Sequence, residues 1–213
     1  MAPGSRTPAE AVEHYRGRTA RLLACLTNEH VVVSAYHAAD PPHQLELSDL
    51  AKLRAAHPLR LSVGEHYEAR EDADGWRVEI VGYNYAIEHD GRDLVSYHWH
   101  PQGESPITWP HMHVGTDIHV GERWFGKVHL PTGAVGLERV VALAITELGA
   151  KPLRDDWERL IAEAADRWRS PPSAVHTRHA TMQGARDRWL VIELRAAAST
   201  SIDGTSIPAV GCV

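Results

Sequence analysis

Apolar residues recur at helical spacing near both ends of the first 170 residues and at strand spacing between them. Val12, Tyr15, Thr19, Leu22, Leu23 and Leu26 form one helical stripe. Thr7-Pro8-Ala9-Glu10 supplies its start: a hydroxyl for the N-cap, a proline at the first helical position, and an acid to complete a capping box. The pattern predicts a helix from Thr7 to about Thr27. Val31 to Tyr36 is β-branched and predicts a strand. Ala39-Asp40-Pro41-Pro42 breaks the chain. Ser48 then reads as the cap of a short helix through Leu50 and Leu53, ending before Pro58.

From Leu59 the period is two. Leu59-Arg60-Leu61-Ser62-Val63 alternates, and the extended reading continues to about Arg70. Asp74-Gly75 marks a turn, Trp76 to Tyr85 resumes the alternation, and Asp90-Gly91 is a strong hairpin signal before Leu94 to His100. A three-stranded antiparallel meander follows from these signals. Trp109 to Val114, Ile118 to Val120 and Trp124 to Leu130 add shorter strand candidates. Pro131-Thr132-Gly133 opens a helix with Leu137, Val140, Val141, Ala144 and Leu148 as its apolar stripe and Gly149 as its C-terminal cap. A second helix covers Asp155 to Arg169. Ser170-Pro171-Pro172-Ser173 is the clearest boundary, so residues 1–170 are expected to form one domain and residues 171–213 a partly disordered extension. The expected fold is α+β. A mainly antiparallel sheet of five to seven strands carries one N-terminal helix, and two consecutive helices follow the sheet.

Histidine changes this ordinary picture. The chain has 15, and seven lie between residues 89 and 129. The pairs His98/His100, in Tyr97-His98-Trp99-His100, and His111/His113, in Pro110-His111-Met112-His113, are separated by ten residues. In a strand, residues i and i+2 share a face. His98 and His100 therefore project together, away from Val95, Tyr97 and Trp99. His111 and His113 do the same, and Lys127 with His129 forms a further same-face pair. Imidazole is the commonest metal ligand and titrates near neutrality.

Two chemistries suit such a face. His98, His100, His111 and His113 can hold zinc, copper, iron or nickel, with Glu104, Asp117 or Glu122 as oxygen donors. Alternatively, histidines of opposite protonation state can move protons to and from a phosphodiester. The set for that role is His98, His111, His113, Lys127 and His129. Lys127 or Arg123 would stabilise charge on the phosphate, and Thr132 would add donors at a helix start. A solvated face of a non-catalytic interaction module is the third reading.

Charge and cysteine narrow the classes. The net charge is −6 and no Lys/Arg-rich block appears, so a broad grip on nucleic acid is not expected. Cys25 and Cys212 lie far apart, without metal or redox spacing, which points to a reducing compartment. The first residues lack a signal peptide's apolar core, and no stretch approaches about eighteen apolar residues. The expectation is a soluble, cytoplasmic protein without membrane contact.

The segment from Tyr83 to Val114 resembles the central part of the TumE-type toxins of toxin–antitoxin systems. Tyr83-Asn84-Tyr85 precedes a hairpin, Asp90-Gly91 makes its turn, and Pro110-His111-Met112-His113-Val114 stands where that family has a Pro-His-x-x-His-like signature. Pro131-Thr132 before an apolar helix is similar as well. The likeness covers about a third of the chain. It departs at Ser96-Tyr97-His98-Trp99-His100, where the family usually has an Arg–aromatic–Asp run. The resemblance implies a small α+β toxin-like protein acting on RNA and held by an antitoxin partner. Combined with the histidine pattern, it gives a toxin-like protein that cleaves RNA phosphodiesters by acid–base catalysis. A metal-dependent hydrolase or oxygenase is the alternative.

Overall fold

The computed structural model describes residues 5–34, 42–102, 106–115, 119–120, 123–124 and 128–168. All of them belong to one compact unit within Met1–Pro171. Residues 171–213, the expected extension, lie outside the described residues.

Helix α1 spans Pro8–Leu23. Thr7 caps it by accepting from the Glu10 N–H at 3.1 Å. The Glu10 carboxylate accepts from the Arg6 N–H rather than from the cap residue itself. The helix stops four residues earlier than its apolar stripe suggested. The chain turns over residues 24–26, which lets the Cys25 carbonyl accept from the Leu153 N–H. Leu26 stays buried through that turn.

Strands β1 (Val31–Val33), β2 (His43–Leu47), β3 (Ala51–Lys52), β4 (Leu59–Asp72), β5 (Gly75–His89) and β6 (Arg92–Trp99) follow. Then come β7 (His111–Val114), β8 (His119–Val120), β9 (Arg123–Trp124) and β10 (Leu130–Pro131). Helices α2 (Leu137–Thr146) and α3 (Trp157–Trp168) close the described chain. An α+β fold results: one N-terminal helix, an eight-stranded antiparallel sheet, then two helices. The sheet order is β1-β2-β4-β5-β6-β7-β10, with β3 paired to β4, and β8 with β9 forms a separate ribbon.

The sheet is wider than the sequence suggested because residues 43–57 hold strands, not a short helix. His43-Gln44-Leu45-Glu46-Leu47 alternates buried and exposed positions along β2. Ser48 does not cap a helix. Its hydroxyl accepts from the His30 N–H, and its own N–H donates to the His30 carbonyl, tying off the β1–β2 pair. Thr132 does not open a helix either. Its N–H donates to the Pro110 carbonyl and extends the β7–β10 pairing, so it belongs to the sheet edge. The Val135 N–H donates to the Tyr83 hydroxyl, and the helix waits for Gly136 as its N-cap. A Cβ on Gly136 would strike the Glu138 carboxylate, which folds back over the helix start.

The long β4–β5 and β5–β6 hairpins form the frame. Asp90 (φ 51°) and Gly91 (φ 75°) are both left-handed, the requirement of a type I′ turn. Leu45, Leu61, Val63, Tyr67, Tyr83, Tyr85, Ile87, Val95 and Trp99 point to one side of the sheet. Tyr15, Leu22, Leu23, Val140, Val141 and Ala144 from the helices, and Leu26 from the turn after α1, pack on them. The other side carries Ser62, Gly64 and His66 on β4, Asn84 and Ala86 on β5, and Ser96 and His98 on β6. No helix among the described residues is long and apolar enough to cross a membrane.

Candidate functional site

Strand register decides which histidines meet. β6 pairs with β7 so that Ser96 faces His113, Tyr97 faces Met112, and His98 faces His111. The two H-x-H pairs are therefore offset by two residues. His98 and His111 are direct cross-strand neighbours, the closest side-chain relation a sheet offers. His100 and His113 lie at opposite ends of that pair. On its far side β7 pairs with β10, with Leu130 facing Met112 and Pro131 facing His111. Continuing that register by one residue sets His129 beside His113.

Ring positions follow from this register. The His98 and His111 centroids are 5.6 Å apart, His98 and His113 5.0 Å, and His111 and His113 5.1 Å. One ring nitrogen from each lies within 4.8 Å of the others. His129 stands 4.4 Å from His113 and 5.0 Å from His111. His100 touches the cluster through His98 alone among its four partners, at 5.5 Å. The structure thus gathers His98, His111 and His113, with His129 beside the last two and His100 against the outer side of His98. Lys127, Glu104, Asp117 and Glu122 lie outside the described residues, as does the alternative phosphate-facing role of Arg123's side chain. Thr132, on the sheet edge, offers no helix-start donors; its hydroxyl is buried without a hydrogen-bond partner.

The geometry suits a metal ion. With metal–nitrogen bonds of about 2.0–2.1 Å and tetrahedral angles, three coordinated rings would have their centres roughly 5 Å apart. The triangle of His98, His111 and His113 has that size. His111 is almost wholly buried, at 3% exposed. Its Nδ1 lies 2.9 Å from the Trp109 carbonyl oxygen. A carbonyl only accepts, so Nδ1 carries a proton, and in the neutral ring Nε2 is the nitrogen with the free lone pair. Ligating histidines are oriented by the same kind of hydrogen bond on the other ring nitrogen.

Electrostatics act in the same direction. Burial, followed by the charges of His113, His100, His111 and His129, pushes His98 down to about 4. Burial lowers His100 first, with His66 and His111 adding to it. Burial also lowers His113, followed by His129 and His111, while Asp93 opposes the shift. All three rings favour the neutral, ligating form at neutral pH.

His66 had no assigned role in the sequence. It faces Gly82 across β4 and β5, and its charge bears on His100. The usable signal was its place on the same alternate positions as Ser62 and Gly64. A Cβ on Gly82 would come within 2.9 Å of the Trp99 carbonyl, so the backbone there needs glycine.

Neither a family model, nor a curated protein, nor a solved structure matches the chain.

Proposed function

We propose that this protein is a metal-dependent hydrolase, with a zinc-class ion held by His98, His111 and His113 and with His129 beside them. The observation that carries the reading is the triangle of three imidazoles built by adjacent strands, with the central ring locked by the Trp109 carbonyl. An all-imidazole set suits zinc better than an iron oxygenase centre, which needs a carboxylate beside two histidines. Such an ion, when bound, lowers the pKa of its water to about 7 and polarises the bond to be cleaved. The chain's part is to hold three imidazole donors on adjacent strands and to fix the His111 tautomer.

Proton transfer between histidines fits the site less well. It requires an imidazolium at neutral pH, and burial disfavours that form at His98, His100 and His113. The TumE-type resemblance adds an antitoxin partner and a toxin role to the proposal. A cytoplasmic setting belongs to it too, consistent with the free, buried Cys25.

Hydrolysis of an activated aryl ester and an activated aryl phosphodiester by zinc-loaded protein tests the reading. We expect activity that chelation removes, that added zinc restores, and that His111→Ala reduces at least about a hundredfold. Activity indifferent to chelation and to His111→Ala would overturn the hydrolase reading.

A further inference from the structure

We propose that Trp109 is a stacking platform for the planar base of a nucleoside phosphate whose phosphoryl group sits at the histidine cluster. This rests on the metal reading above and names the class of substrate.

Three observations lead there. First, Trp109 is 48% exposed, one of two large apolar side chains on the surface of the described residues. The other, Val32, lies on β1 at the opposite end of the sheet. Second, Trp109 is held at the site. Its carbonyl accepts from His111, and the next carbonyl, Pro110, accepts from the Thr132 N–H. The backbone under the indole is thus pinned to the ligand strand on one side and to the β10 edge on the other. A large, stiff, amphipathic ring kept in water two residues from a cluster histidine loses little entropy on stacking. Third, the donors gathered among the described residues are all imidazoles and include no carboxylate or thiolate, so a bound divalent ion would keep its full charge. In a chain of net charge −6, that makes the cluster a local anion site.

An anionic group at the ion and a planar ring two residues before His111 in the chain are the two features that a nucleotide's phosphate and base would engage. The net charge of −6 and the lack of a Lys/Arg-rich block argue against a long polyanion track. One nucleotide unit, free or at the end of a single strand, is the chemistry recognised.

Binding of three probes to the zinc-loaded full chain separates the parts. Adenosine reports stacking alone, ribose phosphate reports the ion alone, and adenosine monophosphate reports both. We expect Trp109→Ala to weaken adenosine and adenosine monophosphate about tenfold and to leave ribose phosphate and zinc content unchanged. Trp109→Phe should recover most of the loss. A short oligoadenylate competing against adenosine monophosphate tells a strand end from a free nucleotide, and preference for either upholds the proposal. Unchanged adenosine monophosphate affinity in Trp109→Ala overturns it. Absent zinc together with Trp109-dependent adenosine binding would mean that the metal reading failed and the platform stood.

Discussion

Glu65 is the residue that the alternation hides. It occupies a core position of β4 between Val63 and Tyr67 and is 2% exposed. The Tyr15 hydroxyl of α1 donates to one of its oxygens, and the Tyr85 hydroxyl of β5 donates to the other. Glu138 faces it from α2 and repels its charge. Burial outweighs the two tyrosine hydrogen bonds and raises the Glu65 pKa. The native state therefore holds this proton to higher pH than the unfolded chain does. That contribution to stability is complete below about pH 4.3, the unfolded value, and is lost as pH rises through the folded value. Urea unfolding across this range should show a fall in stability that Glu65→Gln removes; equal pH slopes in the two proteins would show that Glu65 does not titrate in this way. Glu65→Ala leaves two buried hydroxyls unpaired and should cost about 2–4 kcal/mol. His111 carries the same lesson in a smaller compass. Its spacing showed that it could be a ligand, but only the Trp109 carbonyl says which nitrogen is free.

Local patterns announced most of the elements. The Thr7 cap, the Asp90-Gly91 turn and the alternation of β4 and β5 are written in adjacent residues, and each element formed where its physics required. The chain departs from its local pattern where a residue serves a distant partner. Ser48 looked like a helix cap but bonds His30, and Thr132 looked like a helix start but bonds Pro110. The histidine pairs show the same limit. Their period of two placed each pair on one face, yet nothing local sets the offset between β6 and β7 or brings β10 alongside. Register substituted His129 for His100 as the neighbour of His113. Two variants test that exchange by zinc titration. His113→Ala should weaken binding at least about tenfold, while His100→Ala should change it less than about threefold. Equal losses would mean that the offset does not govern the site.

For the molecule as a whole, the sheet separates two tasks. The helices and one face make the core, with Tyr67, Tyr83 and Tyr85 fully buried on it. The other face presents the imidazoles of His98, His111 and His113 on two neighbouring strands, with His111 itself buried. A ligand that binds only this assembled face stabilises the fold by mass action. Zinc at about a hundredfold above its dissociation constant should add roughly 2.7 kcal/mol. The increment should vanish in His111→Ala without loss of the native fold.

The most direct test is the metal content of protein purified without a histidine tag, read by elemental analysis and by X-ray absorption of the bound ion. The predicted result is about one zinc-class ion per chain with three or four nitrogen neighbours near 2.0–2.1 Å. No stoichiometric ion, before or after incubation with zinc, would contradict it.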